Sequence, residues 1–535
     1  MFTSNALYPY ASKRYVTYGK NGMVATSQTQ AAQVGDEILK KGGNAIDAAI
    51  GMAAALCIVE PTRNGLGGDA FVLFWYQGKL YGLNASGPSS ETISIEKMKA
   101  NGYQSMPMVG AEPITIPGQI KGWVELSERF GKLSFEAVLA PAIKLAKEGF
   151  VVSQVVAEGF QKALSTYKKH LKSDIFSAFE DTFSLNQKPP QSGDIFYLPD
   201  HAKSLELIAK TKGKAFYEGV LADEMIKHVT KHGGFLTKQD FKAYQPTFVN
   251  PIKAAYKGYD IWELPPNNQG IIALEALKLY QPLSKDPLSV ISIHKQIEAM
   301  KLAFKDGLKY ISDEKAMPFS PHALLDEAYL AERRKLISNY AQDFNAGEPK
   351  ASGTVYLASA DSEGNMVSFI QSNYMGFGSG VVIPNTGIAM QNRGHTFSLN
   401  RNDFNALEPN KRTYHTIMPG FITKNDEALG PFGLMGGFMQ PQGHMQLIVN
   451  MIDEKLNPQA ALDKWRWQWM KEKTVMVEKQ TPSSIIDGLV NLGHDVKINP
   501  NETAFGVGQI ILRQPHNHVY VGGCDKRCDA LVLGH

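Results

Sequence analysis

The glycine–threonine pair Gly353–Thr354 is the feature of this sequence most directly suited to chemistry. The threonine hydroxyl lies one residue from the preceding carbonyl, and glycine, which has no Cβ, allows the strained backbone that attack on this carbonyl requires. Cleavage there would leave Thr354 as an N-terminal residue with a hydroxyl nucleophile and a free α-amine. Because an α-amine has a pKa of about 8, it can act as the general base for its own hydroxyl. The pair therefore predicts self-cleavage followed by nucleophilic catalysis.

The same stretch also has a purely structural interpretation. Residues 354–360 have the composition of a strand, and a turn over 361–365 leads to a second strand at 366–373, so a hairpin is expected. Threonine is common in strands and needs no function there. The preceding segment, 339–353, is polar and is expected to be an exposed loop, in which a chain break is tolerated. The local sequence is compatible with both interpretations.

Glycine pairs and histidines supply further candidates. Gly436–Gly437 precedes an expected helix, so its N–H groups could stabilise a developing oxyanion, and a close-packed turn is an equal interpretation. The segment GLGGDA at 65–70 fits a dinucleotide-binding pattern, but a helix is expected before it and a strand after it, the reverse of the order that such a site requires. None of the histidines after Thr354 has metal-binding spacing; these are His395, His415 and His444.

Composition excludes several classes of protein. The chain has 535 residues, 43% hydrophobic and 20% charged, as in ordinary globular proteins, and a net charge of +3 argues against nucleic acid or an anionic membrane as a partner. No signal peptide or membrane span is recognised, so a cytoplasmic location is expected. Three cysteines cannot build a disulfide framework, and Cys524 and Cys528 lack the second pair that a zinc site needs. We expect neither a metal nor an organic cofactor.

The order of expected elements indicates an α+β protein. Helices are predicted over 31–41 and 44–59, followed by a strand pair that turns at Gly78–Lys79. Residues 110–340 are expected to be mainly helical, and another helix is predicted over about 441–470. Because helices and antiparallel hairpins occur without a βαβ rhythm, layered α+β packing is favoured over a doubly wound parallel sheet.

Several segments, taken in order, resemble the γ-glutamyl transpeptidase family of N-terminal-nucleophile hydrolases over nearly the full chain. They are NAIDAAIGMAAALCIVEPTRNGLGGDAF, GGFLTKQDFKAYQP, YDIWELPP, GTVYLASADSEGNMVSF, FGSGVVIPNTGIAMQNRG, NKRTYHTIMPG and GLMGGF. The resemblance implies a four-layer αββα sandwich cut into a large helical subunit, 1–353, and a strand-rich small subunit, 354–535. These would form a heterodimer from one precursor. The resemblance also implies roles for Thr354 as nucleophile, for Gly436 and Gly437 as oxyanion hole, and for Ser372 as support for the nucleophile.

The chain departs from this family where the substrate head group would bind. Asn84 stands where the family has an arginine for the α-carboxylate, and Thr396 stands where it has an aspartate for the α-amine. Tyr374 replaces an asparagine, and His415 and Thr416 replace two serines. The loss of the arginine and the aspartate removes both charged contacts to a zwitterionic glutamyl group. The acyl-transfer residues are thus kept while the specificity pocket is rebuilt.

The resemblance implies hydrolysis or acyl transfer of a small γ-glutamyl or related amide through a threonine acyl-enzyme. Arg393 and His415 could bind a carboxylate placed differently, or Arg393 could be a structural charge, and the sequence leaves both interpretations open. The alternative functions are an acylase for a glutaryl- or oxamate-type amide, and a non-catalytic scaffold on the same fold.

Overall fold

A computed structural model describes residues 13–344 and 353–535. The strands, numbered in chain order, are β1 (Thr17–Gly19), β2 (Met23–Thr26), β3 (Asp69–Tyr76), β4 (Lys79–Ala85), β5 (Phe150–Val151), β6 (Ile195–Phe196), β7 (Thr247–Val249), β8 (Ile252–Tyr256), β9 (Tyr259–Glu263), β10 (Gly353–Ala360), β11 (Met366–Tyr374), β12 (Val382–Ile383), β13 (Ile388–Ala389), β14 (Gly420–Lys424), β15 (Glu427–Met435), β16 (Trp467–Lys471), β17 (Thr474–Glu478), β18 (Asp495–Asn499), β19 (Val507–Arg513), β20 (Tyr520–Cys524) and β21 (Leu531–Gly534).

The helices are numbered in the same way. They are α1 (Thr29–Lys40), α2 (Ala45–Val59), α3 (Ile95–Ala100), α4 (Gln119–Phe130), α5 (Phe135–Glu148), α6 (Gln154–Tyr167), α7 (Ser177–Phe183), α8 (Pro199–Thr211), α9 (Lys214–Tyr217), α10 (Val220–Lys231), α11 (Lys238–Ala243), α12 (Gly270–Tyr280), α13 (Val290–Tyr310), α14 (Glu327–Arg334), α15 (Met439–Ile452), α16 (Pro458–Asp463) and α17 (Ser483–Asn491).

Two seven-stranded antiparallel sheets form the centre of the molecule. The sheet that contains Thr354, which we call the front sheet, has the order β21-β2-β10-β11-β3-β4-β7. The back sheet has the order β1-β20-β19-β15-β14-β9-β8. The two sheets pack face to face, with buried side chains such as Phe71, Tyr356 and Phe421 between them.

Helices cover both outer faces. The front sheet is covered by α1, α2 and α4, and the back sheet by α12, α15 and α16. This arrangement is the predicted α+β fold with four αββα layers. The most enclosed helix is α2, in which every residue is buried and whose N-terminus is closed by reciprocal hydrogen bonds between Asn44 and Asp47.

The predicted hairpin is confirmed. Strands β10 and β11 pair antiparallel, and Asp361 shapes the turn between them because its Oδ1 accepts hydrogen bonds from the backbone N–H groups of Glu363 and Asn365, at 2.9 and 3.1 Å. Gly364 has φ = 85°, a value that favours glycine. The helices predicted over 31–41 and 44–59 are observed as α1 and α2.

One expectation about the elements is confirmed and another is wrong in part. Residues 110–340 are mainly helical, as predicted, and they also contain five strands, three of which (β7 to β9) belong to the central sheets. The single helix predicted over 441–470 is instead α15, α16 and β16. The break follows from Asn457, whose side chain caps α16, and from Pro458 at its first turn. No helix in the part of the chain that the structure describes is long and apolar enough to cross a membrane.

Candidate active site

Thr354 is the second residue of β10 and is 1% exposed. Its Oγ1 donates a hydrogen bond of 2.7 Å to the carbonyl oxygen of Gly353, so the hydroxyl lies beside the peptide bond that it was predicted to attack. The pairing of β10 with β11 is irregular at this point, between Gly353 and Val355. The polar segment 345–352, part of the predicted loop, lies outside the described residues.

The close approach of neighbouring backbone atoms, and not the backbone conformation, requires a glycine at position 353. Its φ lies outside the left-handed region, so the backbone conformation does not by itself call for glycine here. A Cβ at this position would lie 2.9 Å from the backbone N of Gly376 and 3.3 Å from the Cα of Arg63. Both neighbours are backbone atoms, which cannot move aside as a flexible side chain can. Any larger residue would therefore shift the Gly353–Thr354 peptide.

Three strand positions lie side by side at this end of the front sheet. The register pairs Gly353 with Tyr374 and Val355 with Gln371, so Thr354 lies opposite the segment containing Ser372. Ser372 in turn is the direct partner of Asp69, the first residue of β3. Side chains of directly paired residues share one face of a sheet. The sheet thus places the Thr354 hydroxyl, the Ser372 hydroxyl and the Asp69 carboxyl group in neighbouring positions.

Arg393 is fully buried and reaches this row of residues. Its Nη2 donates to the Ser372 hydroxyl at 2.5 Å, its Nη1 donates to the Thr416 hydroxyl at 2.9 Å, and its Cζ lies 4.6 Å from the centre of the Tyr374 ring. Nε has no hydrogen-bond partner among the residues described. Burial lowers the pKa of Arg393 to about 9, against the opposing effect of Asp69. The direct hydrogen-bond acceptors of this cation are neutral hydroxyls, while the carboxyl of Asp69 acts on it through charge without a hydrogen bond.

Asp69 and His415 form a second pair beside Arg393. The carboxyl Oδ2 of Asp69 lies 3.2 Å from the Nε2 of His415, and its Oδ1 accepts hydrogen bonds from the backbone N–H groups of Gly87 and Gly118. Burial raises the pKa of Asp69 to about 7, although the nearby Arg393 opposes this rise. Burial, aided by Arg393, holds the pKa of His415 well below its usual range, so the imidazole is neutral.

The Gly436–Gly437 turn lies between β15 and α15, as predicted. The two glycines have φ values of 140° and 60°, and Gly436 accepts the first backbone hydrogen bond of the helix, from Met439. Within the described ranges, neither glycine N–H has a hydrogen-bond acceptor. The side-chain amide of Gln269 donates to the carbonyl oxygens of Gly437, at 2.8 Å, and Thr416, at 2.5 Å. It thereby fixes the turn relative to the Arg393 cluster.

Thr396 and Asn84 are both occupied by structural contacts. The hydroxyl of Thr396 lies within 2.7–2.9 Å of the carbonyl oxygens of Arg393 and Tyr414 and of the Thr413 hydroxyl. Asn84 donates to the side chain of Asn267 and accepts from Ser86. Among the described residues, neither side chain has a hydrogen bond to the Arg393 guanidinium or to Thr354.

Reasoning from sequence missed three residues near the site. Asp69 was part of the glycine-rich segment but was not considered as a functional group. Gln269 belongs to no sequence motif. Arg63 is recognised only from the structure, through its contacts with Met435 and Glu60. The other two histidines have structural partners: His395 Nδ1 lies 2.8 Å from the carbonyl oxygen of Met106, and His444 Nδ1 lies 2.6 Å from Glu263.

Comparison with known proteins agrees with this geometry. The pattern of the family described as Gamma-glutamyltranspeptidase matches residues 31–534. The glutathione hydrolase-like YwrD proenzyme of Bacillus subtilis is 34% identical, with 96% of this chain and 99% of the relative covered. The oxamate amidohydrolase proenzyme of Klebsiella pneumoniae is 30% identical, with coverage of 96% and 98%.

A solved structure of cephalosporin acylase from Bacillus halodurans is 51% identical, superposes with a TM-score of 0.97, and covers 100% of this chain and 99% of its own. The γ-glutamyltranspeptidase of Helicobacter pylori is 26% identical, with a TM-score of 0.55 and coverage of 62% and 94%. Sequence pattern, fold and structural neighbours agree with the predicted family and with the N-terminal-nucleophile fold. The chain therefore belongs to the gamma-glutamyltranspeptidase family of hydrolases.

Proposed function

We propose that this chain cleaves itself between Gly353 and Thr354 and then hydrolyses small amides whose acyl group carries a carboxylate. The observation that supports the substrate class is the buried Arg393, whose direct hydrogen-bond acceptors are two neutral hydroxyls. A buried cation is costly unless an anion approaches it. A substrate carboxylate beside Arg393 would provide that anion.

Cleavage follows from the position of the Thr354 hydroxyl. Attack of Oγ1 on the Gly353 carbonyl carbon forms a tetrahedral intermediate; the C–N bond then breaks as the nitrogen takes up a proton, leaving Gly353 as an ester on Thr354. Water hydrolyses this ester, which yields a carboxyl group on Gly353 and a free amine on Thr354. The 2.7 Å contact between Oγ1 and the Gly353 carbonyl oxygen supports this route.

Turnover would use the same hydroxyl on an external amide. The Thr354 amine removes the hydroxyl proton and delivers it to the leaving nitrogen, the Gly436 and Gly437 N–H groups stabilise the oxyanion, and water resolves the acyl-enzyme. In the uncleaved chain Thr354 is 1% exposed, so a substrate cannot reach it. Cleavage must therefore precede turnover.

The two fragments are expected to remain associated as a heterodimer. In the front sheet, β10 pairs with β2 and β11 pairs with β3, so the first strands of the downstream fragment lie between strands of the upstream one. Separation would expose the buried faces of both sheets. The free, buried cysteines Cys57, Cys524 and Cys528 support a reducing, cytoplasmic location, which we include as a proposal.

Within this class we propose amides of glutaryl or oxamate type as the substrates. A zwitterionic γ-glutamyl group also needs an anion for its amine, and Thr396, at the family's aspartate position, is neutral and already hydrogen-bonded. The names of two relatives, cephalosporin acylase and oxamate amidohydrolase, agree with amides outside the γ-glutamyl class. Glutathione remains the second candidate, because its α-carboxylate could bind Arg393 and one relative is named glutathione hydrolase-like.

The test compares anilides that differ only in the acyl group. The cleaved protein is assayed with glutaryl, γ-glutamyl and pentanoyl p-nitroanilides, and with oxamate by ammonia release. We expect kcat/KM for the glutaryl anilide to exceed that of the uncharged pentanoyl anilide by on the order of a hundredfold, the worth of one buried charged contact. Equal use of both would contradict a carboxylate site. Preference for the γ-glutamyl anilide over every other amide would establish the second candidate. An uncleaved, inactive protein would support the scaffold alternative.

A further inference from the structure

A buried ion pair on α13 binds the backbone of Gln342, shortly before Gly353 in the sequence. Lys301 Nζ lies 2.7 Å from Glu298 Oε1, and neither side chain is exposed. Lys301 Nζ also donates to the carbonyl oxygen of Gln342 at 3.1 Å, and the N–H of Gln342 donates to Glu298 Oε2 at 3.1 Å. The pair therefore satisfies both polar groups of a single peptide residue.

Residues Ser338–Gln342, which we call the strap, have further contacts on both sides. On the upstream side, His294, one turn before Glu298 on α13, lies 3.0 Å from the carbonyl oxygen of Ser338 through Nε2. On the downstream side, the N–H of Ala341 donates to the carbonyl oxygen of Leu492 at 2.7 Å. The strap thus lies between α13 and the end of α17, elements from opposite sides of the proposed cleavage point.

The same histidine links α13 directly to the downstream part of the chain. His294 Nδ1 lies 2.8 Å from Nε2 of His494. His294, Glu298 and His494 place their ligand atoms within 4.8 Å of one another, as a metal site would. However, Lys301 already neutralises Glu298, and the two rings share a hydrogen bond, so the contacts favour a peptide-binding cluster over a cation site.

A buried ion pair is weak evidence for stabilisation of the folded state. Burial lowers the pKa of Lys301 despite the opposing effect of Glu298, which reflects the desolvation that the pair must overcome. Replacing such a pair by apolar side chains of similar size is often neutral or stabilising. What apolar side chains cannot do is accept and donate hydrogen bonds to the Gln342 backbone. What this ion pair specifically provides is a fixed position for the strap.

We propose that Glu298 and Lys301 are positioning residues for self-cleavage. By fixing the strap, they fix the point from which the chain continues to the Gly353–Thr354 peptide bond. After cleavage, the same contacts hold the end of the upstream fragment against α17 of the downstream fragment. This inference rests on the proposed cleavage at Thr354, but it concerns residues outside the catalytic row and makes no use of the substrate pocket.

The test uses the full-length precursor, made by cell-free synthesis and followed by gel electrophoresis and intact mass. The variant Glu298→Leu/Lys301→Met loses the hydrogen bonds to the Gln342 backbone but keeps side chains of similar volume. We expect its cleavage to slow at least tenfold with little change in melting temperature. Once cleaved, the variant should retain kcat within twofold. Glu298→Gln/Lys301→Met leaves no unpaired buried charge and keeps a side-chain oxygen that can accept from the Gln342 N–H, so it should fold and give an intermediate cleavage rate.

The control replaces another ion pair that involves α13, Asp306→Leu/Arg333→Met. Asp306 lies on α13 and Arg333 on α14, and the two hydrogen-bond each other at 2.8 and 2.9 Å without a hydrogen bond to the strap. Normal cleavage by this control is expected. The inference is overturned if the Glu298/Lys301 variant cleaves at the wild-type rate, or if the control slows cleavage equally. A wild-type chain that does not cleave before Thr354 would overturn both this inference and the proposed function. If the wild type cleaves and the Glu298/Lys301 variant cleaves at the same rate, only the inference is overturned and the proposed function stands.

Discussion

The guanidinium of Arg393 donates a 2.5 Å hydrogen bond to the hydroxyl of Ser372, and this contact connects the proposed specificity pocket to the strand that pairs with the strand of Thr354. Ser372 lies on β11, beside the strand that Thr354 enters, whereas Arg393 lies on a short 3-10 turn between β13 and β14. A change in the charge or position of Arg393 is therefore expected to affect both substrate binding and the hydroxyl next to the reacting atoms.

Removal of the Arg393 charge should lower kcat/KM selectively for substrates with a carboxylate. In Arg393→Met, we expect kcat/KM for glutaryl p-nitroanilide to fall on the order of ten- to a hundredfold, since one charged contact is worth about 1.5–3 kcal/mol. The pentanoyl anilide, which has no carboxylate, should lose much less. Steady-state kinetics with both anilides measure the difference. An equal loss on both substrates would show that Arg393 is a structural charge.

The pH dependence of KM should follow Arg393 and Asp69. Arg393, with a pKa of about 9, is protonated below that pH and loses its charge above it, so KM for the glutaryl anilide should rise as the pH passes 9. Asp69, with a pKa of about 7, becomes negative above that pH and competes with the substrate for Arg393, so a smaller rise is expected near 7. Asp69→Asn should remove the step near 7. A flat KM profile for the glutaryl anilide from pH 6 to 10 would contradict this assignment.

Gln269 is expected to act on the rate of the chemical step. Its amide orients the carbonyl of Gly437, and hence the neighbouring N–H groups, relative to Thr416. In Gln269→Met we expect kcat to fall about tenfold with little change in KM, because a misdirected oxyanion donor costs transition-state stabilisation. The matched control is Gln459→Met, since Gln459 also bridges buried backbone groups, those of Cys524, away from the site. Equal kcat losses in both variants would indicate a general packing defect.

Thr354 itself should be replaceable only by another hydroxyl residue. Thr354→Ala is expected to abolish both cleavage and turnover, whereas Thr354→Ser should cleave and keep partial activity, because serine lacks the methyl group that restricts the rotamer of threonine. Gel electrophoresis follows cleavage and the anilide assay follows turnover. Wild-type turnover by the alanine variant would exclude Thr354 as the nucleophile.

Local features were predictable from the sequence because their causes are local. The turn of the β10–β11 hairpin follows from Asp361 and Gly364, and the glycine turn before α15 follows from adjacent glycines. The break between α15 and α16 was also present in the sequence as Asn457–Pro458, and the apolar residues on either side of it led to one predicted helix instead of two.

The cluster around Arg393 could not be predicted in this way. Asp69, Arg393 and His415 are far apart in the sequence, and only sheet pairing and loop packing bring them together. The sequence left open whether Arg393 is a structural charge or a substrate ligand, because the answer depends on its buried partners. The structure supplies those partners, and they are neutral hydroxyls.

The central claim is that Thr354 becomes the N-terminal residue of the mature enzyme. N-terminal sequencing of the smaller fragment of the purified protein, together with its intact mass, tests this directly. We predict a fragment that begins TVYLAS and comprises residues 354–535, recovered in complex with residues 1–353. A fragment that begins at any other residue, or a fully active protein that stays a single uncut chain, would contradict the account.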